Sequence, residues 1–364
     1  MRVKKSTLDR VPMRDNVLWI ALSFCALFAA LSRPAAAGSA PPAPADSAVA
    51  VLNREYLPAV LDMIGDARRS VRIIQYEYVS YGAVREIEKA ILAAARRGVS
   101  VRMLVDDSVR ASRKNVEWLA KKGIDVKLDE TREYREPGDR TTHAKMILVD
   151  HQRVMVGSTN FSDKSISDNN EANVRLDHPA AAKAAGAYFD ELWNDASKEP
   201  AVSPFRSADV DLIFNRQYLP AVTQLFQTAK RRVYVVLYGA NVGRPGSSVR
   251  ELIDALASAV RRDVDVRVIL DKSGGSFAEK TLKFSQEAAG AMEKAGVAVK
   301  FDSEEVITHA KVLVVDDAVV VGGTNWGYGP LHEYNDINVI VRRPDVVGRF
   351  AERFLAMWKG DQRF

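Results

Sequence analysis

Cysteine is nearly absent from this chain of 364 residues, histidine is scarce, and neither sign of charge dominates. The single cysteine, Cys25, excludes a disulfide framework and a cysteine-based metal site; metal-ligand clusters are missing as well, and no metal and no cofactor are expected. Two domains of ordinary size bury enough core without such staples. Lys and Arg number 52 against 47 Asp and Glu, a formal net charge of +5. That excess suits an anionic partner and a solvated surface equally. With 47% hydrophobic and 27% charged residues the composition is globular, which excludes disorder.

Long apolar runs are also missing. The one extended run, Val17 to Leu31, matches the length of a signal h-region and is short for a membrane span. Arg2, Lys4, Lys5, Arg10 and Arg14 precede it, and Ala35-Ala36-Ala37 follows as a small-residue cleavage site. Residues 1–37 therefore read as a secretion signal, with an uncleaved anchor as the alternative, and the protein is expected to be exported to a periplasmic or extracellular location. Phe24 stands where a lipoprotein site wants a small residue, so lipidation of Cys25 is not expected. Residues 38–50, rich in Ala and Pro, read as a linker.

What the chain does have is a repeat. Asn53-Arg54-Glu55-Tyr56-Leu57-Pro58-Ala59-Val60 recurs as Asn215-Arg216-Gln217-Tyr218-Leu219-Pro220-Ala221-Val222. Val99 to Asp106 matches Val264 to Asp271, Gly123-Ile124-Asp125-Val126-Lys127 matches Gly296-Val297-Ala298-Val299-Lys300, and Trp193 and Trp358 sit in equivalent closing helices. Each half reads helix–strand–helix–strand–helix–strand–hairpin–helix. Strands alternating with helices predict an α/β fold, a sheet sandwiched between helical layers. The halves are expected over 51–200 and 205–364, joined near Pro200 to Pro204 and packed about a pseudo-twofold axis.

The strongest local repeat closes each half. Thr142-His143-Ala144-Lys145 runs on to Asp150, and Thr308-His309-Ala310-Lys311 runs on to Asp316. Histidine and lysine two apart on a strand emerge on one face. Gly157-Ser158-Thr159-Asn160 follows in the first copy and Gly322-Gly323-Thr324-Asn325 in the second, and Glu171 and Asp336 each stand at the start of a further strand. A lone strand histidine is usually structural. Two of five histidines at equivalent repeat positions reverse that reading.

These motifs, H-x-K-x4-D followed by G-[SG]-x-N, resemble the signature of the phospholipase D superfamily, and the resemblance covers nearly the whole chain after residue 50. It implies two tandem phospholipase D-like α/β/α sandwiches with one active site at their interface, and a phosphodiesterase working through a phosphohistidine. His143 is then the expected nucleophile and His309 the expected acid. Lys145 and Lys311 hold the non-bridging oxygens, and Asn160 and Asn325, helped by Ser158, donate further hydrogen bonds. Glu171 and Asp336 accept from the far ring nitrogen of a histidine. Sequence position suggests Ser158 and Glu171 as the support of His143, and Gly323 and Asp336 as a reduced support of His309. Asp150 and Asp316 read as structural turn acids.

Other features carry plainer readings. His151 and His332 are expected in loops, and His178-Pro179 at a helix entry. Tyr76, Tyr78 and Tyr238 suit a core or a substrate groove, and Trp326 and Tyr328 suit the site rim. Arg68-Arg69, Arg96-Arg97, Lys121-Lys122 and Arg261-Arg262 read as helix ends. The substrate stays open between a glycerophospholipid head group, with peripheral membrane contact, and DNA or RNA. Transfer of a phosphatidyl group to an alcohol is a variant of the first, and a non-catalytic module binding anionic lipid or polymer is the reading outside enzymes. Both motifs lie in one chain, so a monomer is expected.

Overall fold

The computed structural model describes residues 46–131, 140–272 and 278–364. The expected signal segment and residues 38–45 of the expected linker lie outside them. From Ser47 onward that linker is already strand.

The first half runs β1 (Ser47–Leu52), α1 (Tyr56–Gly65), β2 (Ser70–Gln75), α2 (Val84–Arg96), β3 (Ser100–Val105), α3 (Arg110–Lys121), β4 (Asp125–Leu128), β5 (Met146–Val149), β6 (Arg153–Gly157), α4 (Asp163–Ser167), β7 (Ala172–Asp177) and α5 (Pro179–Asn194). The second runs β8 (Phe205–Arg206), β9 (Val210–Phe214), α6 (Tyr218–Thr228), β10 (Arg232–Leu237), α7 (Ser248–Val260), β11 (Asp265–Leu270), α8 (Ala278–Lys294), β12 (Ala298–Phe301), β13 (Lys311–Val315), β14 (Ala318–Gly322), α9 (Tyr328–His332), β15 (Ile337–Val341) and α10 (Pro344–Trp358).

Each half builds one mixed sheet, ordered β1-β7-β6-β5-β2-β3-β4 and β12-β11-β10-β13-β14-β15-β9-β8. The β-branched runs pair in parallel as β2–β3–β4 and β10–β11–β12, with Ile73 opposite Met103 and Val235 opposite Val268. The remaining pairs are antiparallel. Expectation differs from structure at the leading strands: β1 and β9 precede the first helix of each half and add to the sheet beside β7 and β15.

Apolar side chains alternate between the two faces of each sheet and so fill three cores. One lies under α1, α2 and α3, where Val60, Ile87 and Leu119 meet Ile73 and Met103. Its counterpart lies under α6, α7 and α8, where Val222, Leu252 and Met292 meet Val235 and Val268. The third is shared: α5 and α10, through Tyr188, Phe189, Phe350 and Phe354, pack with Leu148, Val156, Val314 and Val321 from both sheets. The outcome is two α/β/α sandwiches around a common inner layer. No helix of the described residues is long and apolar enough to cross a membrane.

Helix entries follow local chemistry. His178 caps α5 by accepting the Ala181 N–H, with Pro179 at the first helical position. The motif aspartates hold the hairpins down. Asp150 accepts the backbone N–H groups of Arg68, Arg69 and Ser70 at 2.8, 2.7 and 2.8 Å. Asp316 accepts those of Lys230, Arg231 and Arg232 at 2.8, 2.9 and 3.1 Å. Burial pushes each carboxyl up, but the three amides outweigh it and hold both below the usual range.

Asp150→Ala or Asp316→Ala should each lower stability by about 2 kcal/mol at pH 7 by orphaning amides that bonded a charged acceptor. A depressed carboxylate contributes above its unfolded pKa and loses that contribution as pH falls through its folded pKa. Denaturant melts should therefore show the deficit at pH 7 and its disappearance in acid.

Candidate active site

Each histidine stands just before a buried strand rather than within it: His143 is three residues ahead of β5, and His309 two residues ahead of β13. A tyrosine that ends the neighbouring strand covers each ring. Tyr76 follows β2 and lies 4.9 Å from the His143 ring; Tyr238 follows β10 and lies 5.0 Å from His309. The motif lysine folds back so that its ammonium donates to the backbone carbonyl of its own histidine, in both halves. It also faces the same tyrosine, Lys145 at 5.0 Å from Tyr76 and Lys311 at 5.1 Å from Tyr238.

The halves are stitched together at these points. His143 and Ala144 donate their backbone N–H groups to the Asn335 carbonyl at 2.9 and 3.0 Å, and Asn335 donates to Thr141 at 2.8 Å. Across the pseudo-axis, Ala310 donates to Asn170 at 3.0 Å, and Asn170 donates to Ile307 at 2.8 Å. Asn170 and Asn335 directly precede the two acids, so each acid is delivered to the opposite histidine. His143 Nδ1 lies 3.1 Å from Asp336 Oδ2, and His309 Nδ1 lies 3.1 Å from both carboxylate oxygens of Glu171. This corrects the assignment by sequence position: Asp336 supports His143 and Glu171 supports His309. With Nδ1 so engaged, each ring turns Nε2 toward the site.

The two supports differ. Glu171 is fully buried and also accepts from the Ser158 and Ser165 hydroxyls and from the Asn169 amide. Ser158 therefore secures Glu171 and does not face the site as a phosphate donor. Asp336 is one methylene shorter and reaches its histidine by lying against the backbone at Gly323, where an added Cβ would fall 2.4 Å from Oδ1. The Gly323–Asp336 pair thus replaces the Ser158–Glu171 pair as a unit, and the absent side chain is what makes room for the shorter acid.

Burial governs the ionisation. It is the largest influence on His143, and with the Lys145 charge it lowers that imidazole to about 3 against the opposing pull of Asp336. Burial also lowers His309, with Glu171 opposing. It brings Lys145 down to about 8 and Lys311 to about 7, the latter helped by repulsion from Lys145. Glu171 is pushed up by burial yet stays below the usual carboxylate range because His309 and Lys311 stabilise its charge. The Lys145 charge acts on Lys311 and His309, so the two motifs share one electrostatic environment. Two ammonium groups compressed in a dry site leave strong affinity for an oxyanion.

Asn160 and Asn325 each carry a buried side-chain oxygen with no hydrogen-bond partner among the described residues. Tyr334, whose ring lies 5.9 Å from His143, together with Ser165 and Asn169, was not singled out from sequence. Only their spacing from the two acids could have pointed to them. Trp326 is buried and donates to the Tyr218 hydroxyl at 3.2 Å, so it is core and not rim, whereas Tyr328 is 70% exposed. Tyr78 is core, donating to Glu88 at 2.5 Å. His151 occupies the hairpin turn, and His332 lies on α9 within 2.7 Å of the Ser248 hydroxyl.

Gly323→Ser should displace Asp336 and lower kcat roughly ten- to a hundredfold with little change in folding. The double variant Gly323→Ser/Asp336→Glu rebuilds the first half's arrangement and should recover part of that loss. Steady-state kinetics on both proteins, with melting temperatures as a control, check this.

Residues 60–193 and 222–358 match the family described as "Cardiolipin synthase, PLD-like domain", once in each half. Cardiolipin synthase A of Proteus mirabilis is 25% identical over 319 residues, covering 79% of this chain and 64% of its own length. A probable phospholipase D of Caenorhabditis elegans is 22% identical over 341 residues, covering 79% and 61%. The chain thus spans less than two thirds of these relatives. Among solved structures, phosphatidylserine synthase of Haemophilus influenzae superposes with a TM-score of 0.66 at 12% identity, covering 85% of this chain and 86% of that one. Polyphosphate kinase of Porphyromonas gingivalis does so with 0.61 at 14% identity, covering 86% and 47%; such likeness concerns the fold. With a match in each half that together spans most of its length, this chain belongs to the phospholipase D superfamily.

Proposed function

We propose that this protein cleaves the head-group phosphodiester of glycerophospholipids through a phosphohistidine on His143. The observation that carries the reading is the crossed pair of imidazole–carboxylate contacts, His143 to Asp336 and His309 to Glu171, around two buried lysines. Nε2 of neutral His143 attacks phosphorus while the bond to the head-group oxygen breaks. Nε2–H of protonated His309 gives its proton to that oxygen. His309 then takes a proton from water, whose oxygen attacks phosphorus. The phosphorus–nitrogen bond breaks, releasing phosphatidate and restoring His143. Lys145 and Lys311 neutralise the non-bridging oxygens, with the amides of Asn160 and Asn325 beside them. The doubly held Nδ1 of His309, whose carboxylate partner favours the charged ring, supports this division of labour. The names of the matched relatives support a phospholipid substrate.

A second reading is phosphatidyl transfer, in which an alcohol replaces water at the intermediate. It is favoured by the relative being a cardiolipin synthase. Export through residues 1–37, action as a monomer, and peripheral contact with an anionic bilayer belong to the same proposal.

Purified protein in EDTA, given phosphatidylcholine vesicles or plasmid DNA, should release choline and leave the plasmid intact. Nicking without choline release would establish the nuclease reading instead, and loss of turnover in EDTA would refute a metal-free reaction. Added butanol should divert part of the product to phosphatidylbutanol, and its share measures transfer against hydrolysis. His143→Ala and His309→Ala should each cost at least about a thousandfold in kcat, whereas a binding module would keep its affinity. Lys311 and then Lys145 lose their protons above pH about 7 and about 8. The pH profile of kcat/KM should therefore fall on the alkaline side, while His143 stays neutral down to about 3.

A further inference from the structure

Two pairs of aspartates, one in each half, have no part in the chemistry above; Asp106, Asp129 and Asp271 are buried and Asp302 is half-buried. Asp106 and Asp129 directly follow the adjacent parallel strands β3 and β4; Asp271 and Asp302 directly follow β11 and β12. The sheet ladder runs on into them. Asp106 donates its N–H to Gln75 at 3.0 Å and Asp129 to Val105 at 2.9 Å, and the copies repeat this as Asp271 to Leu237 at 3.1 Å and Asp302 to Leu270 at 3.0 Å.

The first carboxylate of each pair grips the backbone one residue before the histidine. Asp106 Oδ2 accepts the Thr142 N–H at 2.8 Å, and Asp271 Oδ1 accepts the Thr308 N–H at 2.7 Å. The second carboxyl accepts the N–H that follows the first aspartate, from Asp107 at 2.9 Å and from Lys272 at 2.8 Å. Such a network, repeated after divergence of the flanking residues, is more than a strand end requires.

We propose that Asp106 and Asp271 are positioning residues, each fixing its histidine from its own half while the backbone of Asn335 or Asn170 fixes it from the other, and that Asp129 and Asp302 carry the proton that lets each pair stay buried. The proposal rests on His143 and His309 being the reactive pair. Two adjacent buried carboxylates cannot both ionise cheaply. Burial first, then the charge of the neighbouring Asp106 or Asp271, raises Asp129 to about 7 and Asp302 to about 7. The groups facing the first pair are Lys145 and the Ser108 hydroxyl at Asp106, and Asp107, paired with Arg113 of α3, and the Thr142 hydroxyl at Asp129. Those facing the second are Lys311 and Tyr238 at Asp271, and Lys272, paired with Glu304, and the Thr308 hydroxyl at Asp302.

A carboxyl raised in the folded state binds a proton that the unfolded chain has already lost, so stability falls as pH rises from about 4 to about 7. Asp129→Asn and Asp302→Asn mimic the protonated form and should remove that fall. A melting temperature that still drops in parallel with wild type across pH 4–8 would overturn the shared proton. Asp106→Asn should reduce kcat roughly ten- to a hundredfold with KM within about threefold. It should also move the Thr142 amide proton upfield in 15N–1H spectra, as loss of a charged acceptor requires. A kcat within twofold of wild type, or an unmoved amide, would overturn the positioning role. Bis(4-nitrophenyl) phosphate serves as the kinetic probe. The melting and amide readouts need no turnover, so an inactive wild type would refute the reactive pair and leave the aspartate network decided on its own.

Discussion

The organisation of this protein depends on a contact that neither half can make alone. Each imidazole reaches, across the seam, a carboxylate from the opposite copy. The acids are buried, and a buried carboxylate without a partner is costly. Folding of one half therefore leaves an unmet electrostatic demand that the other must satisfy. The shared core of α5 and α10 serves the same end, since it fixes the separation at which the histidines and acids meet.

The site buries two lysines beside its two imidazoles. Burial alone would discharge the lysines, and the lowered values of Lys145 and Lys311 show how far it goes. Glu171 keeps its charge by contrast, because His309, Lys311 and two hydroxyls converge on it. The balance suits a substrate that brings its own negative charge to a place already short of it.

Much of this was legible in the amino-acid sequence, for physical reasons. The β-branched runs at Val71–Tyr76 and Val233–Tyr238 could only be buried strands, and the duplication of His143 and Lys145 at His309 and Lys311 marked the site. The strands β1 and β9 were not legible: Ser47–Leu52 emerges from an Ala- and Pro-rich tail and finds its partner, β7, far along the chain. The crossing of the acids was hidden for a different reason. Glu171 and Asp336 stand 28 and 27 residues after the histidines of their own halves, and spacing along a chain cannot say which copy a side chain will face. Asp106 and Asp271 looked like ordinary strand ends, because the amides they hold belong to a segment brought there by tertiary structure alone.

The Gly323–Asp336 pair has a bearing on descent. In a symmetric dimer of one half, any change at these positions would alter both dyads together, and a substitution harmful to one role would be harmful twice. Joining two copies in a single chain lifts that bond. One copy could shorten its acid and shed a side chain to admit it while the other kept the longer arm and its hydroxyl. Such a freedom lets the two histidines sit in unequal surroundings, as the missing Cβ at residue 323 and the shorter acid beside it show.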